Sequence, residues 1–209
     1  MRSLSEIETA VKRASRAVGF SWGISEEVGK SIRLLELFGL AGIKNLNQYY
    51  KEREIKKFEN LNSISDQNIA QEAFCPITLG VSFLDQIKAI ENFDTIHFKK
   101  IAYPIIFLSF LSRASEVSGK KIYVKFDQNE ILLNLNVNIF SNGFNKDFTK
   151  HSNNLEVKFL DNKDNFTDSD WNSLYKLAEN TFVEESDSLK QSGAGAGLTD
   201  NDWWIRQKQ

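Results

Sequence analysis

Ile122-Tyr123-Val124-Lys125-Phe126-Asp127-Gln128-Asn129-Glu130-Ile131-Leu132-Leu133-Asn134-Leu135-Asn136-Val137-Asn138-Ile139 is the stretch in which the hydrophobic period of this chain changes. Ile122, Val124 and Phe126 alternate with polar neighbours. Beyond the turn at Asp127 to Glu130, Leu133, Leu135, Val137 and Ile139 alternate with Asn134, Asn136 and Asn138. Successive side chains of a strand point to opposite faces, so a period of two predicts a pair of half-buried strands. An antiparallel sheet with one solvated face follows, with the asparagines on its wet side. Asn142-Gly143 marks another turn, and Leu155 to Leu160 a further strand.

Upstream, the period is helical. Ser3 and Glu6 form an S-x-x-E capping box for a helix that carries Leu4, Ile7, Val11, Ala14 and Val18 on one face and ends at Gly19. A second helix carries Ile24, Val28, Ile32, Leu35 and Phe38 inward and stops at Gly39; a third spans about 41–59, where Lys51 to Lys57 reads as a solvated face. Ser63 to Phe74 reads as polar and then helical. Cys75-Pro76 marks a turn or helix start, and Phe83, Leu84, Ile87 and Ile90 continue at helical spacing. Ile101 to Ala114 is the most apolar piece, with Pro104 suited to the first helical position and Gly119 to the cap. It is too short and too interrupted to cross a bilayer, and it reads as a central core helix with Arg113 and Glu116 as a local pair. After the sheet, Thr167 or Asp168 caps a helix with Trp171, Leu174, Leu177 and Phe182. These periods predict an α+β fold. A helical part at about 3–119 packs with a small antiparallel sheet at about 120–202, and a C-terminal helix runs into a glycine-rich tail. One domain at 1–202 is expected, followed by a C-terminal extension at 203–209.

Composition narrows the function classes. At 209 residues and 41% hydrophobic, the chain is long enough to bury a sizeable core. Its formal charge is −2, from 26 Lys+Arg against 28 Asp+Glu, so no long-range field favours nucleic acid or an anionic membrane. One cysteine excludes an internal disulfide and fits a reducing compartment; with no apolar run of signal-peptide length, cytoplasm is the expected location.

Ser192-Gly193-Ala194-Gly195-Ala196-Gly197-Leu198-Thr199-Asp200-Asn201-Asp202 holds the densest set of functional groups. Gly193, Gly195 and Gly197 let a ligand approach the main chain, and successive amides of such a loop converge on a carboxylate or phosphate. The G-x-G-x-G spacing is neither of the standard phosphate fingerprints. Asp200 and Asp202 are of a type that holds Mg²⁺ together with waters, and Thr199 and Asn201 add polar groups. The competing reading of the segment is a flexible linker. Near the start, G-x-S-x-G centres on Ser21, but the segment before it has a helical period and the chain has only two histidines, so Ser21 reads as a helix N-cap rather than a nucleophile. Trp22 reads as a packing element, and Cys75 as a small buried hydrophobe rather than a nucleophile.

The tail, the corner Gly19-Phe20-Ser21-Trp22-Gly23-Ile24-Ser25-Glu26-Glu27-Val28-Gly29 and the segment Cys75-Pro76-Ile77-Thr78-Leu79-Gly80 together resemble the bacterial proteins grouped as domain of unknown function 3726. The likeness runs from about Leu4 to Asp202 and implies candidate positions without a mechanism. Glu26 and Glu27 enter on that basis as candidates for a general base or a metal ligand, beside their electrostatic role in the first turn of a helix. Trp22 joins them as a candidate ligand contact. The expected function is that of an enzyme or enzyme subunit acting on a small organic acid or phosphorylated metabolite. Its site would be built from the tail, with Asp200 and Asp202, and from the corner, with Glu26 and Glu27. The alternative is a non-catalytic binding or homo-oligomer assembly module with the tail as a clasp.

Overall fold

The computed structural model of this chain describes residues 2–143 and 148–182. Three helices come first. The Ser3 hydroxyl accepts Glu6 N at 3.2 Å and the Glu6 carboxylate accepts Ser3 N at 2.8 Å, which is the expected capping box of α1 (Leu4–Ala17). Gly19, at φ 99°, reverses the chain, and Ser21 caps α2 (Trp22–Leu37) by accepting Ile24 N at 3.3 Å. Val28, Ile32 and Leu35 are fully buried, as their spacing requires. Helix α3 (Gly42–Ile55) is shorter than expected, because Lys56 is already extended.

Strand β1 (Gln67–Phe74) is followed by helices α4 (Pro76–Asp85) and α5 (Ile87–Ile90), strand β2 (Ile96–Ala102), helix α6 (Pro104–Ser118), and strands β3 (Lys121–Phe126), β4 (Asn129–Asn134), β5 (Asn138–Ser141) and β6 (His151–Leu160). The six strands form one sheet in the order β1-β2-β6-β3-β4-β5. β1 and β2 are parallel, and every other pair is antiparallel. The α+β class holds, but the sheet also recruits two strands from the part read as helical. Gln, Glu and Ala dominate Gln67–Phe74 and favour a helix in isolation. Pairing with β2 wins, because it buries Asn68, Ala70 and Phe74.

Helix α6 is the core helix the sequence predicts. Pro104 is its first residue and Gly119, at φ 70°, its C-cap, and Ile105 through Ser112 are all buried. The Phe107 ring meets Phe83 at 5.7 Å and Phe98 at 5.5 Å, edge-on in both cases. Gly80 of α4 lies against Phe110 of α6 so closely that an added Cβ would come within 2.3 Å of the ring. Two expectations about the polar edge of α6 are corrected. Arg113 pairs with Glu27 of α2 and donates to Ser31 Oγ at 3.4 Å rather than joining Glu116. The strand expected through Ile139 breaks, because Leu135 and Asn136 take positive φ of 50° and 59° and turn β4 back into β5. Side chains of α6 hold that turn. Ser115 Oγ accepts Leu135 N at 3.0 Å, and Asn136 bonds Ser112 and Glu116. Asn136 is therefore a turn residue docked on a helix, not part of a wet ladder.

The chain divides into two units, Met1–Asn162 and Lys163–Gln209. In the second, Thr167 caps α7 (Asp168–Glu179), as expected. Phe166, Trp171, Tyr175 and Phe182 form a run of ring contacts at 5.8, 6.2 and 5.9 Å, and each of these rings is exposed, as are Leu174 and Leu177. No helix among the described residues is long and apolar enough to cross a membrane.

Candidate functional site

Two hollows open in the first unit. A groove of about 670 Å³ runs between α1 and α3, lined by Ile7, Ala10, Val11, Ala14, Ile43, Leu46 and Tyr50 together with polar residues such as Glu6, Thr9, Arg13 and Asn47. The second, about 570 Å³, gathers chemistry. The reversal after α1 supplies Gly19, Phe20 and Ser21 to its wall, and α2 adds Ile24. The end of α3 and the segment after it add Tyr49, Arg53, Lys56, Lys57, Phe58 and Asn60, and the start of α4 adds Cys75 and Thr78. Tyr49 and Arg53 share a wall because a step of four returns to one helix face, and Lys56 joins them from the extended residue that ends α3.

Local capping explains the inner side. Cys75 is the N-cap of α4, with Sγ accepting Thr78 N at 3.4 Å, and Pro76 is the first helical residue. Sγ also lies 2.9 Å from Tyr49 Oη, while Thr78 donates to Asn60 Oδ1 at 2.8 Å. Burial, followed by the proximity of Cys75, pushes the Tyr49 phenol far up, so it stays protonated. Arg53 donates to the Val18 carbonyl at 2.6 Å and lies 4.3 Å over the Phe20 ring, which ties the corner to α3. Lys57 has no partner among the described residues. No Asp or Glu lines the cavity, against three cationic side chains.

Beside this wall lies a carboxylate with three donors. Glu52 Oε1 accepts Lys56 Nζ at 2.9 Å and meets His151 Nε2 at 2.8 Å, and Oε2 accepts Tyr103 Oη at 2.9 Å. Burial works to raise the Glu52 carboxyl, but the bonds from Lys56 and Tyr103 and the charge and bond of His151 outweigh it, and the net shift is downward. Tyr103 is 1% exposed and moves the opposite way, chiefly through burial. Its φ of 43° is a strained value for a bulky residue. The Tyr103 ring meets Tyr49 edge-on at 5.7 Å.

The expected site residues are distributed differently. Trp22 is 58% exposed rather than packed in the core, with the Arg16 guanidinium 5.6 Å over its ring. Glu26 pairs with Lys12 and Lys30, and Glu27 with Arg113 and Lys30; neither lines the cavity. Burial alone would raise Glu27, yet its two cationic partners bring it below the usual range. Ser21 is the N-cap inferred from its context. Gly193, Gly195, Gly197, Thr199, Asp200, Asn201 and Asp202 lie outside the described residues, and with them the expected Mg²⁺ position. Among the described residues no group of three or more His, Cys, Asp or Glu is arranged to hold a metal ion.

The cavity wall and the corner fall almost wholly in the first 75 residues. Residues 2–75 match the model of the family described as Protein of unknown function (DUF3726). The resemblance seen in the sequence is borne out over that segment, about a third of the chain, and the DUF3726 match takes in every cavity-lining residue except Thr78. Pro76–Gly80 and the glycine-rich tail lie beyond it, as do Tyr103 and His151. No curated protein and no solved structure matches the chain.

Proposed function

We propose that this protein binds a small organic acid or a phosphorylated metabolite in the cavity behind the Gly19–Ser21 corner, and acts on it in the cytoplasm as an enzyme or enzyme subunit. The observation that carries this reading is the charge of the lining. Arg53, Lys56 and Lys57 line it with no carboxylate in the lining; Glu52 beside the wall neutralises Lys56, which leaves Arg53 and Lys57 unbalanced, in a chain whose overall charge is −2. Unbalanced cations in a concave, partly apolar site attract an anion more strongly than on a flat surface, because the walls focus the field. Phe20, Ile24 and Phe58 supply the apolar part of the lining that a metabolite's carbon skeleton requires.

Isothermal titration of the full chain with inorganic phosphate, pyrophosphate and citrate tests it, with Lys57→Glu as the variant. Binding by wild type and its loss in Lys57→Glu supports the reading; affinities that are equal in the two chains, or absent in both, overturn it. Asp200→Ala/Asp202→Ala belongs in the same titration, with added Mg²⁺, as the test of the tail as part of the site. The alternative, an assembly module, draws support from the exposed Trp171, Leu174, Tyr175 and Leu177, since a clustered apolar face of this kind usually meets a partner. A particle mass that exceeds one chain in wild type and falls to one chain in Trp171→Ser/Leu174→Ser would favour it.

A further inference from the structure

We infer that His151 is the proton acceptor of a reaction on the molecule held in the basic cavity, with Glu52 and Tyr103 as its positioning residues. The inference rests on the reading of that cavity as an anion site and names the chemistry beside it. Glu52 Oε1 lies 2.8 Å from His151 Nε2, and Tyr103 Oη fixes the other carboxylate oxygen at 2.9 Å. An ionised carboxylate only accepts hydrogen bonds, so Nε2 carries the hydrogen and Nδ1 the lone pair. Nδ1 has no partner among the described residues, and the side chain, which stands beside the cavity rather than in its lining, is 43% exposed, so the lone pair is accessible from solvent. The carboxylate that sets the tautomer also balances the charge of the imidazolium once it forms, which is the role of the acid in an acid–His pair.

The surroundings favour a working group over a surface ion pair. Glu52 keeps a side-chain exposure of only 14%, and it is held by donors from three places in the chain: Lys56 just past the end of its own helix, Tyr103 at the start of α6 and His151 at the start of β6. Tyr103 adopts its unfavourable backbone conformation at this spot, and strain of this kind concentrates where geometry serves function. Two contacts join the group to the cavity. Lys56 lines the cavity and donates to Glu52, and Tyr49 lines it and packs edge-on against Tyr103. In the step itself, an acidic O–H, or a C–H beside the carbonyl or carboxylate of the bound molecule, gives its proton to Nδ1. The bonding pair stays on the oxygen or carbon, and Glu52 neutralises the imidazolium.

Carbethoxylation by diethyl pyrocarbonate, read residue by residue from peptide masses, tests the pair, because the reagent takes the unprotonated imidazole. The chain has only two histidines, so His97, whose nearest acid is 3.9 Å away, is an internal reference. Rates are taken across pH and corrected to the neutral form. Glu52→Gln should lower the His151 rate by about threefold or more and leave His97 unchanged, as the ring loses the partner that fixes its tautomer with Nδ1 unprotonated. Tyr103→Phe should lower it by a smaller factor and serves as the second variant if Glu52→Gln does not fold. A His151 rate unchanged in both folded variants overturns the pair, whatever the cavity binds. Inorganic phosphate or citrate at a concentration that saturates the cavity by titration should slow His151 and spare His97. Binding without protection overturns the placement of His151 at the ligand and leaves the anion site standing. Absence of binding overturns the anion site and with it the assigned role of His151, while the Glu52 arm still decides the pair.

Discussion

Replacing Gly80 with alanine tests how α4 is seated, and with it the position of Cys75 and Thr78 on the cavity wall. Helix propensity alone favours alanine by about 1 kcal/mol. Against this, a Cβ at Gly80 would lie 2.3, 2.4 and 2.8 Å from three atoms of the Phe110 ring. The closest of these is about 1 Å inside an ordinary carbon contact of roughly 3.5 Å. Phe110 is fully buried on a helix that is itself covered along most of its length, so the ring cannot swing into solvent. Overpacking a closed site by one methyl costs about 1–3 kcal/mol and more where relaxation is blocked. With relief restricted on both sides, the upper end applies, and the net loss is about 2 kcal/mol after the propensity gain. For a chain of this size that lowers Tm by about 4–8 °C. Urea and thermal unfolding followed by circular dichroism give both numbers. Adding Phe110→Leu should recover part of the loss, as coupling in a double-mutant cycle. A Gly80→Ala chain about 1 kcal/mol more stable than wild type, as propensity alone would have it, would refute the contact and the α4 placement that depends on it.

Three further outcomes are expected. Glu52 and Glu27 have carboxyls held below their usual 4.5, so their contribution to stability is fully present above that value and is lost as pH falls from it through the lower folded-state range; urea midpoints followed from pH 7 downward into that range should fall less in Glu52→Gln than in wild type. Arg113→Met leaves Glu27 with Lys30 alone and should cost about 1–2 kcal/mol, between the limits for exposed and buried pairs, as read from denaturant unfolding. Tyr49→Phe removes the hydroxyl beside Cys75 Sγ and should cost about 1 kcal/mol, as read from denaturant unfolding.

What the sequence reveals here is what depends on a few adjacent residues. Ser3 with Glu6, Ser21, Pro104, Gly119 and Thr167 all stand where capping chemistry places them, because a cap is decided within one helical turn. β1 was not legible, since Gln67–Phe74 favours a helix until β2 lies beside it. Leu135 and Asn136 alternate like strand residues, and only Ser112, Ser115 and Glu116 on another element turn them into a reversal. The candidate site shows the same division. The Gly19–Ser21 corner is legible from its glycine and its cap. The solvated-face reading of Lys51 to Lys57 holds, since Lys51, Arg53, Lys56 and Lys57 are all exposed, but it does not tell that Arg53, Lys56 and Lys57 also line a cavity. Glu52 and His151 meet from 99 residues apart, which no local pattern encodes.

Strand β1 also bears on where this chain can be cut. It occupies an edge of the sheet, and its one strand partner is β2, at Ile96–Ala102. The family-matching segment stops at Cys75, one residue past the end of β1 and more than twenty residues before that partner begins. Similarity and autonomy therefore end at different points along the chain. A fragment comprising residues 2–75 would contain nearly every residue of the cavity wall, yet its last strand would keep only the bridge between Glu59 and Phe74 and lose the whole β2 ladder beside it. The segment that matches the family model is thus shorter than the segment that completes the sheet around the cavity, and any transplant of the cavity must carry the crossover through β2 with it.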